Sequence, residues 1–212
     1  TLEAIQEVLN KSFNEKKNSG ILKVAFFGTK DYDRIFFSEL EKDKGEGAYN
    51  VEIKYFSSNL GPETANLAKG YDAVCIFVND DASRPVVEQL HDNGIRLILL
   101  RCAGFNNVDL DAAKEYGITV LRVPAYSPYA VAEHAMAILQ EANRHLHKAY
   151  NKVRDNNFAL SGLLGLDLHN KVAGIIGTGK IGICMARICK GYGMTVLGWD
   201  AYPNQKLVDE GL

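Results

Sequence analysis

The sequence has no apolar run approaching the roughly 20 residues that a membrane-spanning helix needs. Nor does it open on a basic start, an apolar stretch and a small-residue cleavage site. On these grounds a cytoplasmic address is expected, with no membrane partner. An excess of either charge is also lacking: 24 Lys and Arg face 26 Asp and Glu, for a formal net charge of -2. No global field then favours nucleic acid or an anionic surface, and the expected partner is a small molecule.

Cysteine is scarce and unpaired in spacing. Cys75, Cys102, Cys184 and Cys189 lie in apolar segments and form neither a zinc knuckle nor a redox CxxC, so free buried thiols are expected. His134, His145 and His147 are not at a common metal-binding spacing, and Glu133-His134 does not extend to HExxH, so no metal is expected. His134 is expected on the buried side of its helix.

What is present is a chain of 212 residues, 47% apolar and 24% charged, enough to bury a substantial core and to divide into two lobes. It starts at Thr1 and stops at Leu212 just after a turn signal, which reads as a partial sequence. Residues 2–17 place Leu2, Ile5, Val8, Leu9 and Phe13 at helical spacing, predicting an amphipathic N-terminal extension. Apolar runs at 22–27, 51–56, 73–78, 97–101 and 119–123 then alternate with helical segments, including 84–92 and 110–116. Runs without polar alternation suit parallel strands buried on both faces, so an α/β fold is predicted. Gly94 and Gly117 fit left-handed caps, and Asp109 an N-cap. Ser127-Pro128 starts a helix running to about residue 148, and the domain boundary is placed at Tyr126.

The strongest local motif follows. Val172 to Ile176 reads as a strand, GTGKIG (177–182) as a turn opening a helix, and 195–199 as a second strand ending in Asp200. Gly177 permits a tight turn, Gly179 lets the backbone approach a pyrophosphate, and Gly182 lets the helix pack against the sheet. The N–H groups of Lys180 and Ile181, with the helix dipole, suit the phosphates. Asp200 stands where a carboxylate accepts the ribose hydroxyls of NAD and repels the 2′-phosphate of NADP. The Lys180 side chain is read as a solvated bystander.

RCAGFNNVDL (101–110), VPAYSP (123–128), AEHA (132–135) and GTGKIG together resemble the D-isomer specific 2-hydroxyacid dehydrogenases, most closely their D-lactate dehydrogenase branch. The resemblance implies two lobes of parallel sheet flanked by helices: a flavodoxin-like substrate lobe and a Rossmann nucleotide lobe, the second incomplete. Residues 1–126 would hold the N-terminal extension and the first segment of the substrate domain. Residues 127–212 would hold the crossover helix and the first part of the NAD-binding domain. It further implies that the N–H groups of Ala103 and Gly104 receive the substrate carboxylate, and that Tyr126 borders the 2-keto acid. An ordinary glycine turn remains open for the first pair, and packing in a lobe interface for Tyr126.

The implied reaction is hydride transfer between NAD and a small D-2-hydroxy acid, D-lactate and pyruvate first, in a homodimer. Hydroxyisocaproate or phenyllactate, or a non-catalytic NAD-sensing role like that of the corepressor branch, are the alternatives. The catalytic arginine, acid and histidine are expected beyond Leu212 and are assigned to no residue here. Accordingly the 212-residue polypeptide alone is expected to be inactive and poorly packed.

Overall fold

Strand β3 (Ala73–Ile76) is buried at every position, which only a central strand covered on both faces achieves. The computed structural model describes residues 21–40, 50–203 and 205–209, so the helix expected at 2–17 lies outside them. In the first unit, Thr1–Pro124, β3 joins β1 (Ile21–Phe26), β2 (Asn50–Tyr55), β4 (Leu97–Leu100) and β5 (Thr119–Arg122). All pair in parallel in the order β2-β1-β3-β4-β5, the flavodoxin-like order.

Period-two alternation sends the apolar strand residues to two layers. Ala25, Phe27, Val74, Ile76, Ile98 and Leu100 share one core with Val86, Val87 and Leu90 of α2 (Arg84–Asp92) and Ala112 and Ala113 of α3 (Leu110–Glu115). On the other face Val24, Phe26, Ala73, Cys75 and Leu97 pack with Phe37 of α1 (Asp31–Leu40). Each fully buried aliphatic side chain contributes about 1.5–3 kcal/mol. Asp109 caps α3 by accepting the Ala112 N–H at 2.8 Å, as expected from its position.

In the second unit, Ala125–Leu212, Ser127 caps α4 (Pro128–Arg144) through the Ala130 N–H. Strand β6 (Val172–Ile176), helix α6 (Lys180–Gly191) and parallel strand β7 (Thr195–Trp199) form a β-α-β step, followed by α7 (Gln205–Asp209). Helix α4 packs on α6.

Two expectations need correction. The single helix to about residue 148 is two: α4 ends where His145 turns left-handed at φ 53°, and α5 (Leu146–Arg154) follows. No glycine or proline marks this break. Its support is tertiary, from His145 Nε2 at 3.0 Å from the Leu164 carbonyl and Asn143 bonded to both the N–H and the carbonyl of Leu166. His134 is exposed, because the buried seam of α4 runs through Ala132 and Met136, and residue 134 falls on the opposite side.

Candidate functional site

Chain direction reverses in the sheet order between β1 and β3, and ligands of open α/β sheets collect beyond the strand ends at such a point. After β1 the chain turns at Gly28, φ +59°, where a Cβ would stand 2.9 Å from Asn59 Oδ1. Beneath it lies Arg101, whose Nη2 donates to the Gly28 carbonyl at 3.1 Å and whose Nε is 3.6 Å from Asp33 Oδ1. The guanidinium sits 4.5 Å over the Phe26 ring and 5.1 Å from that of Phe77. Only 10% of the Arg101 side chain and 5% of that of Asp33 are exposed. The pair is thus a buried brace between the strand ends. Burial pushes the nearby Cys75 thiol up to about 12 against the opposing charge of Arg101, so this cysteine is a neutral thiol and no nucleophile.

After β3, residues 77–80 form a turn built around the buried Asp80. Its carboxylate accepts the N–H of Leu60 at 2.7 Å and of Phe77 at 2.6 Å. Desolvation raises the Asp80 pKa, opposed by the N–H groups of Phe77 and Leu60. The Asn107 amide donates to the carbonyls of Phe77 and Asp80, each at 2.9 Å, and ties this turn to the one after β4. The N–H groups of Val78 and Asn79 have no protein acceptor among the described residues.

The segment after β4 carries Ala103 and Gly104. Arg122, the last residue of β5, donates from Nη1 to the Ala103 carbonyl at 2.9 Å, and Cys102 Sγ approaches the Gly104 carbonyl at 3.3 Å. Among the described residues neither the Ala103 nor the Gly104 N–H has a protein acceptor. A Cβ at Gly104 would meet nothing within 4 Å, so the backbone is open to approach. Two neighbouring turns therefore present free N–H donors at one edge of the sheet, an arrangement suited to a carboxylate. Tyr126 is 60% exposed and belongs to the second unit, since the division falls between Pro124 and Ala125.

In that second unit Gly177, φ +89°, turns the chain off β6, and its N–H donates to the Trp199 carbonyl at 2.8 Å. Gly179 occupies the N-cap of α6 with open space where a Cβ would be. Lys180 and Ile181 follow in the first turn, both exposed, with their N–H groups at the helix N-terminus. A side chain at Gly182 would collide with the Gly177 carbonyl. Asp200 is already engaged: Oδ2 accepts from Thr178 N at 2.6 Å and Thr178 Oγ1 at 3.1 Å, and Oδ1 accepts from Tyr202 N at 2.9 Å. The backbone bond from Tyr202 first, then those from Thr178, hold its pKa below the usual carboxylate value. A cavity of about 320 Å³ lies alongside, lined by Ile175, Ile183, Ala186, Val196, Trp199 and Asp200 among others.

The catalytic domain of the D-isomer specific 2-hydroxyacid dehydrogenases matches residues 24–196. The chain belongs to this family. It is 50% identical over 191 residues to D-lactate dehydrogenase of Escherichia coli K12, an alignment covering 90% of this chain and 56% of that one. The apo structure of the E. coli enzyme superposes with a TM-score of 0.80 over 90% of this chain and 58% of the other. D-lactate dehydrogenase of Aquifex aeolicus, solved with NAD and lactic acid, gives 0.71 at 29% identity, over 88% of this chain and 54% of that one. The chain thus spans about 56% of the length of the E. coli relative.

The local strand-turn-helix motif singled out the glycine turn and Asp200, and the family resemblance Ala103, Gly104 and Tyr126, but neither gave a role to Val78, Asn79, Asp80, Arg101, Asn107 or Arg122. An Asn-Asp pair directly after an apolar strand was the available signal for the 77–80 turn. Among the described residues no group of three His, Cys, Asp or Glu is placed to hold a metal ion, and no helix is long and apolar enough to cross a membrane.

Proposed function

We propose that this protein is an NAD-dependent dehydrogenase that interconverts D-lactate and pyruvate. The observation that carries the reading is the 50% identity to E. coli D-lactate dehydrogenase over 191 residues. The site residues are consistent with it in chemistry. Gly179 and the N–H groups of Lys180 and Ile181 bind the pyrophosphate, with Gly177 and Gly182 shaping the turn. Asp200, kept anionic by its N–H donors, disfavours a 2′-phosphate. Its oxygens already accept the N–H and hydroxyl of Thr178 and the N–H of Tyr202, so its contribution to binding the ribose is chiefly its charge. The apolar cavity beside it suits a nucleoside base. When bound, NAD supplies the hydride donor and acceptor.

The substrate carboxylate is placed on the N–H groups of Ala103 and Gly104, with those of Val78 and Asn79 next to them. Proton transfer at the hydroxyl oxygen needs an acid–base group. Asp80 is committed to two backbone N–H bonds and Cys75 is a neutral thiol, so neither serves. That group is assigned to no residue of this chain. Residues 1–126 are read as substrate domain and 127–212 as crossover helix and NAD-binding domain, in a cytoplasmic homodimer. Self-association is supported by Leu160, Leu164 and Leu166, exposed on a segment that Asn143 and His145 hold in place.

The test is NADH oxidation by the protein made from its complete gene, with pyruvate, phenylpyruvate and 4-methyl-2-oxopentanoate, before and after Tyr126→Ala. Pyruvate is expected to be reduced fastest, and the variant to shift relative rates toward the bulkier acids by about tenfold. A bulkier acid preferred by the unaltered protein reassigns the substrate. An unchanged ratio in the variant removes Tyr126 from the substrate pocket.

A further inference from the structure

Arg122 closes β5, and the ladder pairs its Cα with that of Leu100. Just beyond it, the Val123 N–H donates to the Cys102 carbonyl at 3.1 Å, so the root of the side chain is fixed against the loop after β4. From there its guanidinium crosses the Phe105 ring at 5.2 Å and delivers Nη1 to the Ala103 carbonyl at 2.9 Å. Among the described residues that carbonyl is its only hydrogen-bond acceptor, and no carboxylate lies within ion-pair distance of it. A cation beside a carbonyl that already stands in the open has a purpose other than satisfying a buried group.

The Ala103 carbonyl and the Gly104 N–H belong to one peptide plane. In a trans peptide they point in opposite directions, and the structure has no cis bonds. Holding the oxygen therefore aims the hydrogen. At glycine this matters most, because without a Cβ the two flanking planes swing over a wide range of φ and ψ. The plane on the other side of Gly104 is held as well, through the contact of Cys102 Sγ with the Gly104 carbonyl. A charged donor on the carbonyl also polarises the peptide group and strengthens the N–H it shares. Arginine suits this task better than lysine because its planar fork keeps its direction while stacked on an aromatic ring.

We propose that Arg122 is a positioning residue, which aims the Gly104 N–H at the carboxylate of a 2-keto acid while itself touching the loop rather than the substrate. The proposal rests on the reading of Ala103 and Gly104 as the carboxylate site. Its test compares Arg122→Ala and Arg122→Lys with the unaltered protein from the complete gene, labelled with ¹⁵N-glycine. Three quantities are read: the order parameter of the Gly104 N–H without substrate, and kcat and KM for pyruvate at saturating NADH.

In Arg122→Ala the Gly104 order parameter is expected to fall from the rigid range, about 0.85, toward about 0.6. KM for pyruvate is expected to rise about fivefold to twentyfold. Arg122→Lys, which keeps a charged donor, should recover part of both. A raised KM with an unmoved order parameter would mean that Arg122 meets the substrate directly, and overturns positioning. A mobile Gly104 with an unmoved KM keeps the clamp but removes the carboxylate from Gly104, which also overturns the proposal. If the unaltered protein reduces no 2-keto acid, the dehydrogenase reading fails, while the order parameter still decides whether Arg122 holds the loop.

Discussion

Asp200 is held by its own turn before any ligand arrives. Its carboxylate gathers the N–H and hydroxyl of Thr178 and the N–H of Tyr202, and these donors lower its pKa below the usual carboxylate value. In the proposed dehydrogenase its part in cofactor choice would then be largely one of charge, repelling the 2′-phosphate of NADP. Asp200→Asn keeps an acceptor for Thr178 but removes the charge. The ratio of kcat/KM for NADH over NADPH is expected to fall about tenfold or more in that variant. An unchanged ratio would leave Asp200 as a structural tie of the glycine turn. The position of Asp200 was legible in the sequence because a strand end fixes where the residue goes. Its preoccupation with Thr178 was not, since that bond depends on two turns meeting across 22 residues. Asp80, Asn107 and Arg122 escaped notice for the same reason: each bonds to backbone 19 residues or more away in sequence at the site.

Helices α2 and α3 were legible to within a residue because their ends carry local signals, namely the left-handed Gly94 and Gly117 and the Asp109 cap. Strand β3 ended sooner than the apolar run predicts. Phe77 and Val78 continue the run in character, but Asp80 takes the Phe77 N–H and bends the chain into its turn. The break between α4 and α5 had no local signal at all. It depends on the strap formed by Asn143 and His145 on the segment that includes Leu164 and Leu166. Asn143→Ala removes both bonds to Leu166, each with a net worth of about 0.5–1.5 kcal/mol and less where water competes. Amide hydrogen exchange at Leu166 is expected to quicken in that variant while the strands of the first unit keep their protection. Unchanged exchange at Leu166 would show that the segment is held by other contacts.

At the scale of the whole molecule, the alternation of apolar runs and helical segments announced a parallel sheet flanked by helices, and the glycine motif announced a second nucleotide-type unit. The strand order β2-β1-β3-β4-β5 was not contained in that alternation, because pairing is a long-range choice that local periodicity does not encode. The order matters for function, as it sets the turns after β3 and β4 side by side at the carboxyl ends of their strands, where the N–H groups of Val78, Asn79, Ala103 and Gly104 have no protein acceptor among the described residues. The central claim is that these turns and the glycine turn serve NAD-dependent chemistry on a D-2-hydroxy acid. Its most direct test is to incubate the protein from its complete gene with pyruvate and NADH, and to resolve the lactate formed by chiral chromatography. D-lactate is expected to form in step with the NADH consumed. Formation of L-lactate, or no consumption of NADH with pyruvate or any other 2-keto acid, would contradict it.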